Sequence, residues 1–455
     1  MKRNRVDLTT GPITKKMILF ALPIIFSNLL QHLYSAADRM VVGRFAEEGT
    51  TALAAVGATG SAITLLLGLF TGLSIGVNII CANARGARNM GGLRRIMHTA
   101  PIIALICGVS MMFIGLLVSR PMLVLMSAPE AVLDQATLYM RIYFLGVPAS
   151  ILYNFGSAIV RSNGDTKRPM LILALSGLVN VALNLVLVIG FHLDVAGVAI
   201  ATVASQYLSA FQIWRILFNP KDDYQMKFKE LKLHKKQVMS IIKTGVPCGL
   251  NGIAFSISNM IMQSAINGFD DPILMAGNVA SDGLTGLIYQ VIAGSYSAIV
   301  SFAGQNYGAG NYKRIDKGLG SSLFLCCGTV LMLGVGSVVF HEPLMGLFNS
   351  DPEVIAAGTT KLQVFCYSYV IYGVSELLLG CLRGMKHSAI PSLINFMAVC
   401  VFRVVWVMLI FPLNGESVGW LYTCYPVSYI LSTVGMLAYF LIRRHQFKKR
   451  LQAAA

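Results

Sequence analysis

Long apolar runs alternate along the chain with short polar segments. Windows long enough to cross a bilayer core, about 20 residues each, fall near 17–42, 52–81, 96–118, 132–158, 169–190, 195–218, 238–267, 273–303, 318–340, 357–382, 390–412 and 417–442. They predict twelve transmembrane helices. The runs are too long, and lack the strict alternation, for the strands of a membrane barrel. The first run follows basic residues and contains Ser35-Ala36-Ala37, which resembles a signal-peptide cleavage site. A full-length apolar run precedes that triplet, however, and a similar segment recurs in mid-chain, so a retained helix is expected.

The two halves echo each other at an offset of about 222 residues. Ala21-Leu22-Pro23 recurs as Gly245-Val246-Pro247, and Gly86-Ala87-Arg88-Asn89 as Gly308-Ala309-Gly310-Asn311. Pro129-Glu130 recurs as Pro352-Glu353, and the segment Arg161 to Pro169 as Arg383 to Pro391. Six spans per half give both halves the same orientation, a parallel repeat about an axis along the membrane normal. The expected fold is an all-α integral membrane protein of two pseudo-symmetric six-helix bundles around a central cleft. The lobes would be 1–218 and 238–455, joined by a basic cytoplasmic linker at 219–237.

Composition agrees. Charged residues make up 12% of the chain and apolar residues 55%, too few charges to cover a soluble protein. The net charge of +16 comes from 36 Lys and Arg against 20 Asp and Glu. Most of the basic residues, including Lys15-Lys16, Arg94-Arg95, Lys235-Lys236, Lys313-Arg314 and Arg443-Arg444, lie between runs on one side, if both termini share that side. The positive-inside rule then makes the termini cytoplasmic and the protein a multi-pass protein of the cell membrane, with lipid rather than nucleic acid around it. The nine cysteines show neither C-x-x-C spacing nor zinc-like His partners and read as free thiols.

Polar groups inside the runs are few and expensive. Asn28, Gln31, Ser35 and Asp38 are spaced 3, 4 and 3 and share one face of the first helix. A polar stripe there must face protein or a water-filled cavity, although Asp38 could instead pair with Arg39. Asn180 and Asn184 lie one turn apart on the fifth helix, either as oxygen ligands or as interhelical glue, and Thr202 on the sixth adds a hydroxyl. The second half is not a copy, since Met262 takes the place of Asp38. Its candidates for lining the cleft are Asn259, Gln263, Asn278, Asp282, Glu376 and Arg403. Glu376 and Arg403 suggest either an ion pair between neighbouring helices or, for Glu376, proton or substrate handling.

No Walker A run and no strand-borne G-x-G-x-x-G occurs, so the chain has no ATP motif and no enzyme signature. An ion gradient is the expected source of energy. Several segments resemble the multidrug and toxic compound extrusion (MATE) family. These are Asp38-Arg39-Met40-Val41-Val42-Gly43, Ala52-Leu53-Ala54-Ala55-Val56-Gly57, Gly197-Val198-Ala199-Ile200-Ala201-Thr202 with Gln206, Gly304-Gln305-Asn306-Tyr307-Gly308-Ala309 and Leu382-Arg383-Gly384-Met385. The resemblance covers the whole chain and looks closest to the prokaryotic DinF-like branch. It implies efflux of organic, often cationic, compounds in exchange for H+ or Na+, without a cofactor and by a monomer. It also implies a first-lobe cation site, for which Asp38, Asn180 and Thr202 match. Asn184 replaces the acid expected there, which favours H+ over Na+ as the coupling ion. The family's other branch uses an acid on the tenth helix, where Glu376 lies. A flippase for a lipid-linked precursor is the alternative; it would need a basic cavity, for which Arg403 alone is thin support.

Overall fold

The structure, a computed structural model, describes residues 6–46, 49–126, 129–219, 225–348, 351–414 and 417–453. Part of the expected linker, 220–224, lies outside the described residues, as does 454–455 at the end of the expected second lobe. Among the described residues, twelve apolar helices are long enough to cross a membrane. In chain order they are α1 Ile13–Phe45, α2 Thr51–Gly86, α3 Met90–Leu125, α4 Glu130–Ser162, α5 Lys167–Gly190 and α6 Asp194–Leu217. The second six are α7 Lys235–Asn267, α8 Pro272–Gly308, α9 Tyr312–Val339, α10 Pro352–Gly384, α11 Ala389–Leu413 and α12 Val418–Gln446.

Most helices outrun their apolar windows, and three of them start on a side-chain cap. The Asn89 side chain accepts a 2.8 Å bond from the Gly92 amide and starts α3. Asp271 and Asp351 cap α8 and α10 in the same way, each followed by a proline that needs no amide partner. Large apolar side chains such as Leu117, Phe211, Phe324 and Met332 are exposed along the spans. That is the inverse of a soluble fold and marks surfaces suited to lipid.

The chain forms two compact units. One comprises Phe26–Ile253 with Val6 and Asp7; the other comprises Leu8–Ile25 and the chain from Ala254 onwards. Both α1 and α7 are thus divided, each shortly after an internal proline, Pro23 or Pro247. Proline removes a backbone hydrogen bond and loosens the helix at that point. In the first unit the leading part of α7 lies so close to α2 that a Cβ on Gly72 would sit 2.0 Å from the Gly249 nitrogen. The repeat-related contact in the second unit puts a Cβ on Gly294 2.8 Å from the Ile25 Cα. Glycine is required at both crossings.

The repeat extends to backbone handedness. Arg88 and Gly310 occupy corresponding turns at φ 53° and 74°, as do Gly164 and Lys386 at 91° and 66°. The same hydrogen bond closes each turn of a pair, with Asn89 N to Ala84 O at 3.0 Å and Asn311 N to Asn306 O at 2.8 Å. Wide π turns also recur, at Val186–Gly190 in α5 and Trp406–Ile410 in α11. A second π segment in α11, Phe396–Val401, has no counterpart in α5 among the described residues.

Replacing Gly72 with alanine should force α2 and α7 apart and cost at least about 2 kcal/mol, as overpacking does. Gly57→Ala, where a Cβ meets nothing within 4 Å, should be neutral. Thermal unfolding of the two purified variants in detergent checks the difference.

Candidate functional site

Three of the four polar residues predicted to share a face of α1 meet one cavity; Asn28 does not line it. Gln31, Ser35 and Asp38 line a cavity of about 490 Å³ in the first unit, together with Asn180 of α5 and Thr202 of α6. Asn184 stands behind this cavity with no solvent exposure and donates its amide to Asp38 Oδ1. The other amide proton points at Asn180 Oδ1 over 3.5 Å. Thr202 Oγ1 lies 3.4 Å from Asp38 Oδ2. Its single proton has a better acceptor in the Val198 carbonyl at 2.9 Å, so Asn184 is the strong donor to Asp38 and Oδ2 is left open. Asn184 Oδ1 is buried with no protein partner. Asp38 forms no ion pair with Arg39 among the described residues; the Arg39 Nε donates instead to the Ser35 carbonyl at 3.2 Å.

Four tyrosines also line this cavity, Tyr34, Tyr139, Tyr143 and Tyr153. Hydropathy did not single them out, because aromatic residues in apolar helices carry no positional signal of their own. Tyr34 Oη donates to the Ala174 carbonyl at 3.1 Å and thereby ties α1 to α5 beside the site.

The second unit has a separate cavity of about 280 Å³. Of the candidates for lining the cleft, Asn259, Gln263 and Asp282 line this cavity and Asn278 does not, while Lys361, which hydropathy does not single out, does. Lys361 lies in the third turn of α10 and reads as a side chain reaching back toward the interface. In the structure it is 3% exposed and forms an ion pair with Asp282. Its Nζ also donates to Asn278 Oδ1 at 2.7 Å, an oxygen shared with the Tyr422 hydroxyl at 3.2 Å. Asn278 Nδ2 completes the network with 3.1 Å to Gln263 Oε1 and 3.3 Å to Asp282 Oδ2. At the Asp38-equivalent position, Met262 is buried, with its sulfur 3.5 Å from Cys424 Sγ.

The expected Glu376–Arg403 ion pair does not form. Arg403 has no solvent exposure, donates through Nε to Ser428 Oγ at 3.1 Å, and lies 4.4 and 5.1 Å from the ring centres of Tyr425 and Tyr429. Two aromatic faces take the place of the carboxylate. Glu376 sits instead beside the Tyr372 hydroxyl. Neither Glu376 nor Arg403 lines the two cavities described above.

Twelve apolar spans among the described residues, an internal repeat and polar groups gathered in two cavities define a multi-pass membrane protein. The MatE family model matches residues 23–186 and again 247–409, one match in each repeat, and the chain belongs to that family. The chain is 26% identical over 454 residues to the Probable multidrug resistance protein YoeA of Bacillus subtilis (strain 168), covering 97% of this chain and 96% of that one. It is 27% identical over 422 residues to the Probable multidrug resistance protein YpnP of the same organism, covering 91% of each. Among solved structures, the outward-facing conformation of a multidrug resistance MATE family transporter of the MOP superfamily shares its fold. That match has a TM-score of 0.89 at 21% identity and covers 99% of this chain and 100% of that chain.

If Asn184 is the strong donor to Asp38, the two residues are energetically coupled. Asn184→Leu should destabilise the protein by about 1–3 kcal/mol by leaving the carboxylate without its donor. In an Asp38→Asn background that loss should shrink by at least about 0.5 kcal/mol. Thermal unfolding of the four proteins of this double-mutant cycle measures the coupling.

Proposed function

We propose that this chain is a secondary antiporter of the cell membrane that exports organic, often cationic, compounds in exchange for protons taken up at Asp38. The observation that carries the reading is a carboxylate in a large cavity, held by neutral donors and paired with no fixed cation. Such a group keeps its charge for a mobile partner. The names of YoeA and YpnP as multidrug resistance proteins point the same way.

The local geometry favours a proton over Na+. A metal cation asks for several oxygen ligands at once, whereas Asn184 turns its NH2 toward Asp38. A protonated Asp38 gains an O–H to donate, and Thr202 Oγ1 is placed to accept it, having given its own proton to Val198. The ionised form keeps the Asn184 bond. Each protonation state therefore has its own set of partners around α1, which is what a two-state switch requires. Exchange of one proton for one monovalent organic cation at a single carboxylate is charge-neutral. Rocking of the two six-helix bundles would present the bound compound to alternate faces of the membrane.

A flippase for a lipid-linked pyrophosphate would need cations without counter-charges facing one cavity. Lys361 faces Asp282 in its cavity, which argues against that alternative for the second cavity. The basic segments between spans support cytoplasmic termini.

In proteoliposomes loaded with an organic cation such as ethidium, an imposed pH gradient should drive export by the wild-type protein. An imposed Na+ gradient alone should not. Asp38→Asn should lower proton-driven export at least about tenfold, and wild-type coupling in that variant would refute the role given to Asp38. Full transport on Na+ alone would refute the coupling ion. A reporter fused to the C-terminus should be reached by impermeant reagents only after the cells are permeabilised; labelling of intact cells would overturn the orientation.

A further inference from the structure

We propose that the cavity of the second unit is a binding site for an aromatic carboxylate, with the Lys361 ammonium receiving the anion and Asp282 serving as its exchangeable internal counter-ion. This inference is independent of the export reading, because it concerns a different cavity and binding is measurable without transport.

Three observations converge. First, the Lys361 ammonium has three protons and, among the described residues, two acceptors, Asp282 and Asn278. At 3% exposure it has little bulk water to satisfy the third, yet it lines the cavity. Second, the Asp282 side chain is 53% exposed. The anion of the pair is therefore the mobile member, and it can swing aside when another carboxylate arrives. Lys361 is fixed between Asn278 Oδ1 and the rings of Phe365 and Tyr422, 5.5 and 5.9 Å from its nitrogen. Substituting one carboxylate for another conserves the ion pair, so the ammonium is never left unpaired in a dry site.

Third, Arg403 stands behind the cavity wall. Tyr425 and Tyr429 line the cavity and stack against its guanidinium. The Arg403 guanidinium has no solvent exposure and is held against these two tyrosines, with Tyr429 also its hydrogen-bond neighbour. A cation held against a ring draws electron density away from it and weakens its attraction for a second cation. The same polarisation makes the phenol a better donor to an anion. The aromatic lining therefore disfavours organic cations and favours a carboxylate attached to a ring. A volume of about 280 Å³ lies at the small end of ligand pockets, and admits one or two fused rings rather than a whole drug.

Equilibrium binding of 1-naphthoate, followed by its fluorescence on the full-length protein in nanodiscs at pH 6, tests the assignment. Two probes of matched shape, 1-naphthylmethylammonium and 1-naphthalenemethanol, serve as controls. The wild-type protein should prefer the carboxylate over both. Lys361→Met should weaken naphthoate binding at least about tenfold, while Lys361→Arg retains most of it. Asp282→Asn should tighten binding severalfold, because the competing internal anion is gone; loss of folding cannot mimic that gain. Asp38→Asn should leave naphthoate binding unchanged, which separates this site from the proposed coupling site. Equal or better binding of the ammonium probe, no naphthoate binding at millimolar concentration, or an unchanged affinity in both Lys361→Met and Asp282→Asn would overturn the proposal.

Discussion

A carboxylate set among apolar helices has to be answered by something, and this chain answers two of them in opposite ways. Asp38 receives an amide proton from Asn184 and weak contact with a hydroxyl, both neutral. Asp282 receives a full ammonium from Lys361. Desolvation makes an unanswered charge costly in either place. The neutral partners leave the Asp38 charge without an ion of opposite sign bonded to it, while Lys361 supplies one to Asp282. The two units thus differ in how they answer an acid, on a common helical frame.

The frame was legible from hydropathy because lipid imposes the simplest of rules: a span must be apolar for its full length and satisfy its backbone within the helix. The spacing of Gln31, Ser35 and Asp38 placed them on one face, and the geometry of the α-helix guarantees that result wherever the helix is regular. The meeting of that face with Asn184 and Thr202 came from family resemblance, since no periodicity on one helix says which other helix will face it. Lys361 was illegible for the opposite reason. A lysine close to a span end ordinarily extends to the headgroups, and only the partner Asp282, 79 positions earlier, reveals that it turns inward.

The pairing of Glu376 with Arg403 was expected from charge alone, and the structure replaced it with tyrosines. A guanidinium is planar and weakly hydrated, so aromatic faces can accommodate it where an ammonium would be poorly served. Tyrosines inside apolar spans look like ordinary filler in a sequence. In this unit they form a connected set, with Tyr372 and Tyr429 ring centres 4.6 Å apart and Phe365 and Tyr425 4.7 Å apart. The π turns of α5 and α11 were equally invisible, because one extra residue in a helical turn leaves no trace in mean hydropathy.

The left-handed turns at Arg88 and Gly310 carry a consequence for how the history of such a chain is read. An L side chain in that conformation costs roughly 1 kcal/mol, and one copy bears it on an arginine while the other avoids it with a glycine. At the second pair of turns the roles are exchanged, with glycine in the first half and lysine in the second. The letters have drifted in both directions while the sign of the torsion has stayed put. At these two pairs of turns the torsional sign is common to both halves while the residues differ, so the places where the chain turns left mark corresponding points of the repeat.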